Sequence, residues 1–243
     1  GLRLARRSVR GAGPVWPPAG PRAMTAGAAF WDRFADRYAA RPIRDVAAYE
    51  AMLADAAARL QPGDRVLEIG CGTGGTAIRL APGVLSYVAT DFSAAMIRIA
   101  EAKPAPPGLH FQRAEAGALP EGGPVDAILA FNLLHLVEDL PGLLRALRGG
   151  LAPGGQLICK TWCFGDLPLR VRLAFRALRL VGLFPPARFL TEVQLRQALA
   201  DAGFAIVATR VFGVRAQAPY IVARATEPLS GGVVLPVAES PRP

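Results

Sequence analysis

Lysine, histidine and cysteine are scarce in this 243-residue chain, and each shortage argues against a class of protein. Only two of the 28 basic residues are lysines and no run of five basic residues occurs, which argues against a nucleic-acid partner. Two histidines, and three cysteines without a C-x-x-C pair, are too few for a metal site or a disulfide framework. We therefore expect no metal and no nucleic acid, and a reducing, cytoplasmic location.

The sequence also lacks an uninterrupted apolar run of the roughly 18 residues that a membrane-spanning helix needs. Its net charge of +9 is unevenly spread, because residues 1–23 contain five arginines and no acid. Glycines and prolines interrupt this segment too often for an amphipathic transit helix. We interpret residues 1–23 as a disordered extension before a functional start at Met24, with a targeting role as the alternative.

From residue 65 onward strand and helix patterns alternate, as is typical of a parallel sheet with helices on both faces. Helices are predicted at 74–80, 93–102, 141–151 and 191–202, after two helical segments within 27–60. The last two strands lie too close together for a crossover helix, so we expect an antiparallel hairpin. One α/β domain is predicted at 24–225, and a flexible tail at 226–243. The predicted strands are 65–69, 86–90, 109–113, 125–131, 156–161, 204–211 and 220–224.

A glycine-rich turn after the first strand carries the strongest functional signal. The run from Glu68 to Gly74 reads EIGCGTG, so a buried strand leads into alternating glycines and then a helix. Such glycines let the chain turn sharply and let a ligand approach the backbone where no Cβ intervenes. The ligand would lie across the carboxyl ends of the strands.

Two acidic residues indicate the kind of ligand. Gly70, Gly72 and Gly75 also satisfy the loose dinucleotide pattern G-x-G-x-x-G, but a pyrophosphate would be repelled by Glu68. The ammonium and sulfonium groups of S-adenosylmethionine would be attracted to it. Asp91 ends the second strand, where it can accept hydrogen bonds from ribose hydroxyls. The simpler alternatives are a surface strand end for Glu68 and a helix N-terminal charge for Asp91.

Five motifs together give the chain a specific resemblance to a known family. They are VLEIGCGTG, ATDFSAAMI, RAEAGALP, DAILAFNLLHLV and LAPGGQLI, within about residues 27–224. The chain resembles the class I S-adenosylmethionine-dependent methyltransferases, particularly those of ubiquinone and menaquinone biosynthesis. The resemblance implies a Rossmann-like α/β fold whose seven-stranded sheet is mostly parallel. Its last strand would be antiparallel and lie between the fifth and sixth, in agreement with the predicted hairpin.

The resemblance also implies a set of cofactor-binding residues. The methionine part of S-adenosylmethionine would lie against the glycine turn, the ribose at the end of the second strand, and the adenine near the second and third strands. Many relatives have aspartate where this chain has Glu115. The residues implied are Glu68, Gly70, Cys71, Gly72, Gly74, Asp91, Phe92, Met96, Ala114, Glu115 and Asn132.

Methyl transfer requires mainly that the acceptor be positioned in line with the sulfonium, and a base only if the acceptor must lose a proton. His135 is the one histidine near the predicted cofactor rim, so it is a candidate base, with helix packing as its alternative role. Trp31 and Tyr38 belong to an N-terminal helix that either roofs the cofactor or packs as ordinary core.

The insertion at 164–190, between the fifth strand and the last helix, is largely apolar with a stripe formed by Arg172, Arg176 and Arg179. We interpret it as a lid over a small, hydrophobic acceptor. Alternatives are a membrane-interface helix that gathers a lipophilic acceptor, and an extra packing helix. The predicted substrate pocket comprises Trp31, Tyr38, His135 and Phe175.

Two rival functions remain open. A nucleotide-dependent oxidoreductase would share the glycine turn and Asp91, but Glu68 and the terminal hairpin disfavour it. A cofactor-binding or lipid-interacting protein without catalysis would share every motif.

Overall fold

The computed structural model describes residues 25–214 and 217–226, so the predicted extension at 1–23 and nearly all of the predicted tail at 226–243 lie outside the described residues. The helices are α1 (Thr25–Ala39), α2 (Val46–Ala57), α3 (Gly75–Leu80), α4 (Ala94–Glu101), α5 (Leu140–Gly150), α6 (Leu169–Leu180) and α7 (Glu192–Asp201). The strands are β1 (Arg65–Ile69), β2 (Ser86–Asp91), β3 (Leu109–Arg113), β4 (Val125–Phe131), β5 (Leu151–Lys160), β6 (Phe204–Arg210) and β7 (Tyr220–Ala225).

The seven strands form one sheet in the order β3-β2-β1-β4-β5-β7-β6. Strands β1 to β5 are parallel, and β7 runs antiparallel to both β5 and β6. This arrangement confirms the predicted fold class and the terminal hairpin. The strand order reverses between β1 and β4, and a switch point of this kind is where open α/β sheets bind ligands.

Two apolar layers hold helices against the two faces of the sheet. On one face Met52 and Leu53 of α2 and Leu80 of α3 pack on the strands. On the other face Leu144 of α5 and Leu195 of α7 do the same. Both faces are therefore covered, which explains why the central strand β4 is apolar at nearly every position. No helix among the described residues is both long and apolar enough to cross a bilayer.

Two of the helices begin at residues whose side chains cap them. The Ser93 hydroxyl accepts a hydrogen bond from the Met96 amide at 3.2 Å and begins α4. Thr191 begins α7 with a reciprocal capping box to Gln194. These short local bonds satisfy amides that a helix leaves without partners in its first turn.

Several predicted boundaries differ from the structure by one residue, and the start of the fifth strand differs by five. The fifth strand begins at Leu151 rather than at residue 156, because the Pro-Gly-Gly segment continues the strand through a register shift opposite Val125. A β-bulge of this kind accommodates residues that otherwise indicate a turn. Helix α3 begins at Gly75, one residue later than predicted, since Gly74 has a left-handed φ of 75°.

Candidate functional site

The glycine turn between β1 and α3 needs glycine for two separate reasons. Gly70, Gly72 and Gly74 all have positive φ, at 67°, 54° and 75°. A Cβ on Gly70 would lie 2.8 Å from Leu133, and one on Gly74 would lie 2.6 Å from the ring of Phe111. The turn is thus fixed both by backbone conformation and by the side chains packed against it.

Glu68 is a buried carboxyl group beside this turn, with 2% of its surface exposed. Its Oε2 accepts a hydrogen bond from the Tyr87 hydroxyl at 2.8 Å. Burial raises the pKa of Glu68 to about 8, although the Tyr87 bond opposes that shift. The structure therefore excludes a surface strand end, and a buried carboxyl group of this kind is poised to ionise when a cation approaches. Cys71 is also buried there, in the turn itself.

Asp91 ties the end of β2 to the glycine turn. Its Oδ2 accepts from the Gly72 amide and its Oδ1 from the Ser93 amide, both at 2.9 Å. Burial raises the pKa of Asp91, and these two backbone bonds offset part of the shift. Each carboxylate oxygen has a second lone pair, so Asp91 can still accept from a ligand hydroxyl.

The side predicted for adenine lies next to Asp91. Phe92 and Met96 are buried there, and the Ala114 amide donates to the Asp91 carbonyl at 3.0 Å, which brings the ends of β2 and β3 together. Oε2 of Glu115 is buried and has no hydrogen-bond partner among the described residues. An orphaned acceptor of this kind fits a ligand that brings a hydrogen-bond donor, as the adenine amino group does.

Asn132 marks the carboxyl end of β4 with an unusual backbone. Its φ of 57° makes it the one non-glycine residue with positive φ in the described part of the chain. Its amide donates to the Lys160 carbonyl at 2.7 Å, and its side chain is exposed at the edge of the sheet. Backbone strain at a strand end is typical of ligand sites.

Helix α1 is fastened to the site by a residue that the sequence did not reveal. Asp32 accepts from the Ser93 hydroxyl at 2.6 Å and from the Ala95 amide at 3.2 Å, so it holds α1 at the start of α4. Trp31 packs against the main apolar core, whereas the Tyr38 ring lies 3.8 Å from the place where a Gly72 Cβ would be. Trp31 thus packs on the core and also lines a cleft beside Phe92, and Tyr38 lies over the turn.

His135 and Phe175 lie in a separate group of rings, here called the Phe164 cluster (His135, Trp162, Phe164, Phe175, Phe184 and Phe189). The Phe164 ring lies 5.4 Å from those of His135 and Phe184 and 5.5 Å from that of Phe175. His135 is 5% exposed, and burial lowers its pKa to about 4. Its Nδ1 has no hydrogen-bond partner within the described residues.

The structure therefore brings together most, but not all, of the predicted residues. The glycine turn, Asp91 and Tyr38 adjoin one another, while His135 and Phe175 belong to the Phe164 cluster. A narrow cleft is lined by Trp31, Phe92 and Pro186. A groove of about 960 Å³ continues from Pro186 between α6 and the first turns of α5 and α7. Two further contacts at the site have no signal in the sequence. Lys103 Nζ donates to the Thr73 carbonyl at 2.6 Å, and the Tyr87 hydroxyl donates to Glu68.

The chain is similar to known proteins in both sequence and fold. A family model described as "Methyltransferase domain" matches residues 35–209. The demethylmenaquinone methyltransferase of Beutenbergia cavernae is 37% identical over 100 residues, which are 40% of each chain. The ubiquinone biosynthesis O-methyltransferase of Xanthomonas axonopodis pv. citri is 31% identical over 43% of this chain and 46% of its own. The chain thus spans under half the length of these curated relatives.

Solved structures agree on the fold. An S-adenosylmethionine-dependent methyltransferase from Mesorhizobium loti superposes with a TM-score of 0.61 at 21% identity, over 72% of this chain and 96% of that one. This likeness, together with the family match, confirms the resemblance inferred from the motifs.

Proposed function

We propose, because this chain belongs to the methyltransferase domain family, that it transfers the methyl group of S-adenosylmethionine to a small hydrophobic acceptor. The observation that carries the proposal is the pair of buried carboxyl groups, Glu68 and Asp91, beside the glycine turn. Two carboxyl groups in a poorly solvated pocket favour a positively charged ligand and disfavour a pyrophosphate. They therefore favour S-adenosylmethionine over a dinucleotide.

The residues of the site fit this cofactor. Glu68 and the amides of the turn would hold its methionine part, and Asp91 would accept from the ribose. Phe92 and Met96 would contact the adenine, and the free Oε2 of Glu115 would accept from its amino group. When bound, S-adenosylmethionine supplies a methyl group already activated by the sulfonium, so these residues mainly orient and exclude water.

The Phe164 cluster supports a hydrophobic acceptor. Its rings offer apolar surface, and the unpartnered Nδ1 of His135 offers one hydrogen-bonding group inside it. A neutral imidazole can position an acceptor hydroxyl, and with its pKa lowered to about 4 it would be a weak base. Relatives named for demethylmenaquinone and ubiquinone biosynthesis also favour a hydrophobic acceptor.

Helix α6 supports a lipophilic acceptor, gathered at a membrane surface. No residue of α6 is fully buried, and Leu169, Leu173 and Leu180 expose 64%, 53% and 89% of their surfaces. Because these leucines lie at helical spacing on one side, flanked by arginines, α6 suits contact with lipid while Phe175 packs inward. The three buried free cysteines favour a reducing compartment, so we propose the cytoplasmic side.

A binding experiment tests the cofactor assignment. We expect calorimetry to detect S-adenosylmethionine and S-adenosylhomocysteine in the micromolar range or tighter, and no heat from NAD. Binding of NAD alone would support the rival oxidoreductase and contradict the proposal.

A methyl-transfer screen tests catalysis itself. With labelled S-adenosylmethionine, we expect label to appear in at least one member of a panel of phenols, quinones and small acids. Cofactor binding without transfer to any acceptor would favour the rival non-catalytic protein.

A further inference from the structure

The last residue of β5 carries a charge that the proposed function does not use. Lys160 is half-buried, and its register partners are Phe131 at the end of β4 and Tyr220 at the start of β7. Directly paired residues on neighbouring strands point to the same side of a sheet, so Lys160 stands between two aromatic side chains. The two rings lie 6.5 Å apart and nearly parallel. Because Lys160 is the last residue of β5, it lies beside these rings at the carboxyl edge of the sheet.

One carboxylate acts on Lys160 from outside the sheet. Asp45 caps α2 through a 3.0 Å bond from the Ala48 amide to its Oδ1. Burial lowers the pKa of Lys160, and the Asp45 carboxylate offsets part of this shift. In the described part of the chain, no hydrogen bond or ion pair within 4.0 Å engages the Lys160 ammonium. A half-buried cation without a close partner is available to a ligand.

The ionisable side chains at the carboxyl edge therefore form two groups, one acidic and one basic. Glu68 and Asp91 lie at the ends of β1 and β2, and Lys160 ends β5, with β4 between them. Two strand spacings separate β1 from β5, which is about 10 Å. Asn132 lies between the two groups at the end of β4, with its side chain exposed. This gap suits a small molecule that has one anionic end.

We propose that Lys160 is a specificity-determining residue that binds an anionic oxygen, a phenolate or carboxylate, on the methyl acceptor. This inference rests on the proposed function, since it assigns the acceptor's charge. A cationic donor held by carboxylates at β1 and β2 attracts an anionic acceptor held at β5. Partial burial reduces screening by salt, so the attraction persists at physiological ionic strength. The rings beside Lys160 accommodate the apolar remainder of the acceptor.

Benzoate and benzamide test this inference, because they share a shape and differ in charge. In calorimetry on the full chain saturated with S-adenosylhomocysteine, we expect benzoate to bind roughly 10- to 100-fold more tightly than benzamide. Lys160→Met should abolish the preference, and Lys160→Arg should keep most of it because the positive charge remains. The matched control is Arg145→Met, which removes an exposed cation on α5 and should leave the preference unchanged.

Asp45→Asn distinguishes ligand binding from a structural ion pair. Asparagine still caps a helix, so α2 should keep its N-terminus. Removal of the competing Asp45 carboxylate should strengthen benzoate binding. If Lys160 and Asp45 form only a structural ion pair, the substitution should leave the preference for benzoate over benzamide unchanged.

Three results would overturn the role of Lys160. They are equal affinity for the two probes, an unchanged preference in Lys160→Met, and no saturable binding of benzoate. The titration is repeated without S-adenosylhomocysteine. If the nucleoside fails to bind while the benzoate preference persists, the methyltransferase proposal fails and the anion site stands. If S-adenosylhomocysteine binds and the preference for benzoate is absent, the methyltransferase proposal stands and the anion site fails.

Discussion

At the scale of single residues, Glu68 makes the affinity for a cationic ligand depend on pH. A carboxyl group with a pKa of about 8 is largely protonated at neutral pH, and a cation beside it favours its ionised form. Binding of a cationic ligand must then release a proton from Glu68 below that pKa. The site therefore couples cofactor affinity to pH.

This coupling gives the first prediction. The dissociation constant for S-adenosylmethionine should fall as pH rises from 6 to 8, by at most about tenfold per unit, and level off above. Glu68→Gln should bind more weakly and with a flat pH dependence, because its amide can still accept from Tyr87 but cannot ionise. Calorimetry from pH 6 to 8.5 measures the dissociation constants of the wild-type protein and of Glu68→Gln. An equal slope in the variant would assign the dependence to another group.

The glycine turn gives the second prediction, with a control in the next residue. Gly74→Ala should lower the free energy of unfolding by about 2 to 4 kcal/mol, because its φ is left-handed and the new Cβ would meet Phe111 at 2.6 Å. Gly75→Ala should be close to neutral, since Gly75 has an ordinary φ and no atom nearer than 3.9 Å. Denaturant unfolding compares the two. Equal destabilisation would show that local packing does not explain the glycine pattern.

At the scale of elements, the sequence predicts the strands and helices that the local pattern of residues determines. Strand–helix alternation and the short β6–β7 connection predicted all seven strands, because side-chain periodicity and chain length determine them. The start of β5 was mispredicted because a bulge continues pairing through Pro153 and Gly154, and pairing depends on β4 rather than on the segment itself. The Asp32–Ser93 bond and the pairing of Lys160 with Phe131 likewise join distant segments. No local signal in the sequence reports such contacts.

Helix α6 gives the third prediction, because two neighbouring residues face different surroundings. The centroid of the Phe175 ring lies 5.5 Å from that of Phe164 and 4.7 Å from that of Phe184. Leu173, in contrast, exposes 53% of its surface. Phe175→Ala should raise the KM for the acceptor about tenfold through the loss of two ring contacts. Leu173→Asp should leave that KM unchanged in detergent-free buffer and weaken co-sedimentation with anionic vesicles.

The double variant Leu173→Asp/Phe175→Asp tests the element as a whole. It should lose both acceptor affinity and vesicle binding. Normal methylation of the acceptor by this variant would contradict the lid interpretation. A folded circular dichroism spectrum is the required control.

At the scale of the whole molecule, two buried groups shift stability in opposite directions with pH. The pKa of His135 is lowered from 6.5 to about 4, so its contribution is present above pH 6.5 and is lost as pH falls toward 4. The pKa of Glu68 is raised from 4.5 to about 8, so its contribution is present below pH 4.5 and is lost as pH rises toward 8. The two slopes cancel between pH 4.5 and 6.5, so these two groups together destabilise the free protein least in that range.

A bound cation changes this balance, and that is the fourth prediction. Because S-adenosylmethionine binds the ionised form of Glu68 more tightly, it stabilises the fold more at pH 8 than at pH 6. The rise in Tm at saturating ligand should therefore grow with pH in the wild-type protein and stay constant in Glu68→Gln. Without ligand, Glu68→Gln should unfold at a higher temperature than wild type at pH 8.5 and at a similar one at pH 5, since the variant never buries a charge. Scanning calorimetry at pH 5, 6, 8 and 8.5, with and without ligand, measures these differences. If Glu68 is instead ionised throughout this range, the rise in Tm caused by the ligand would not depend on pH.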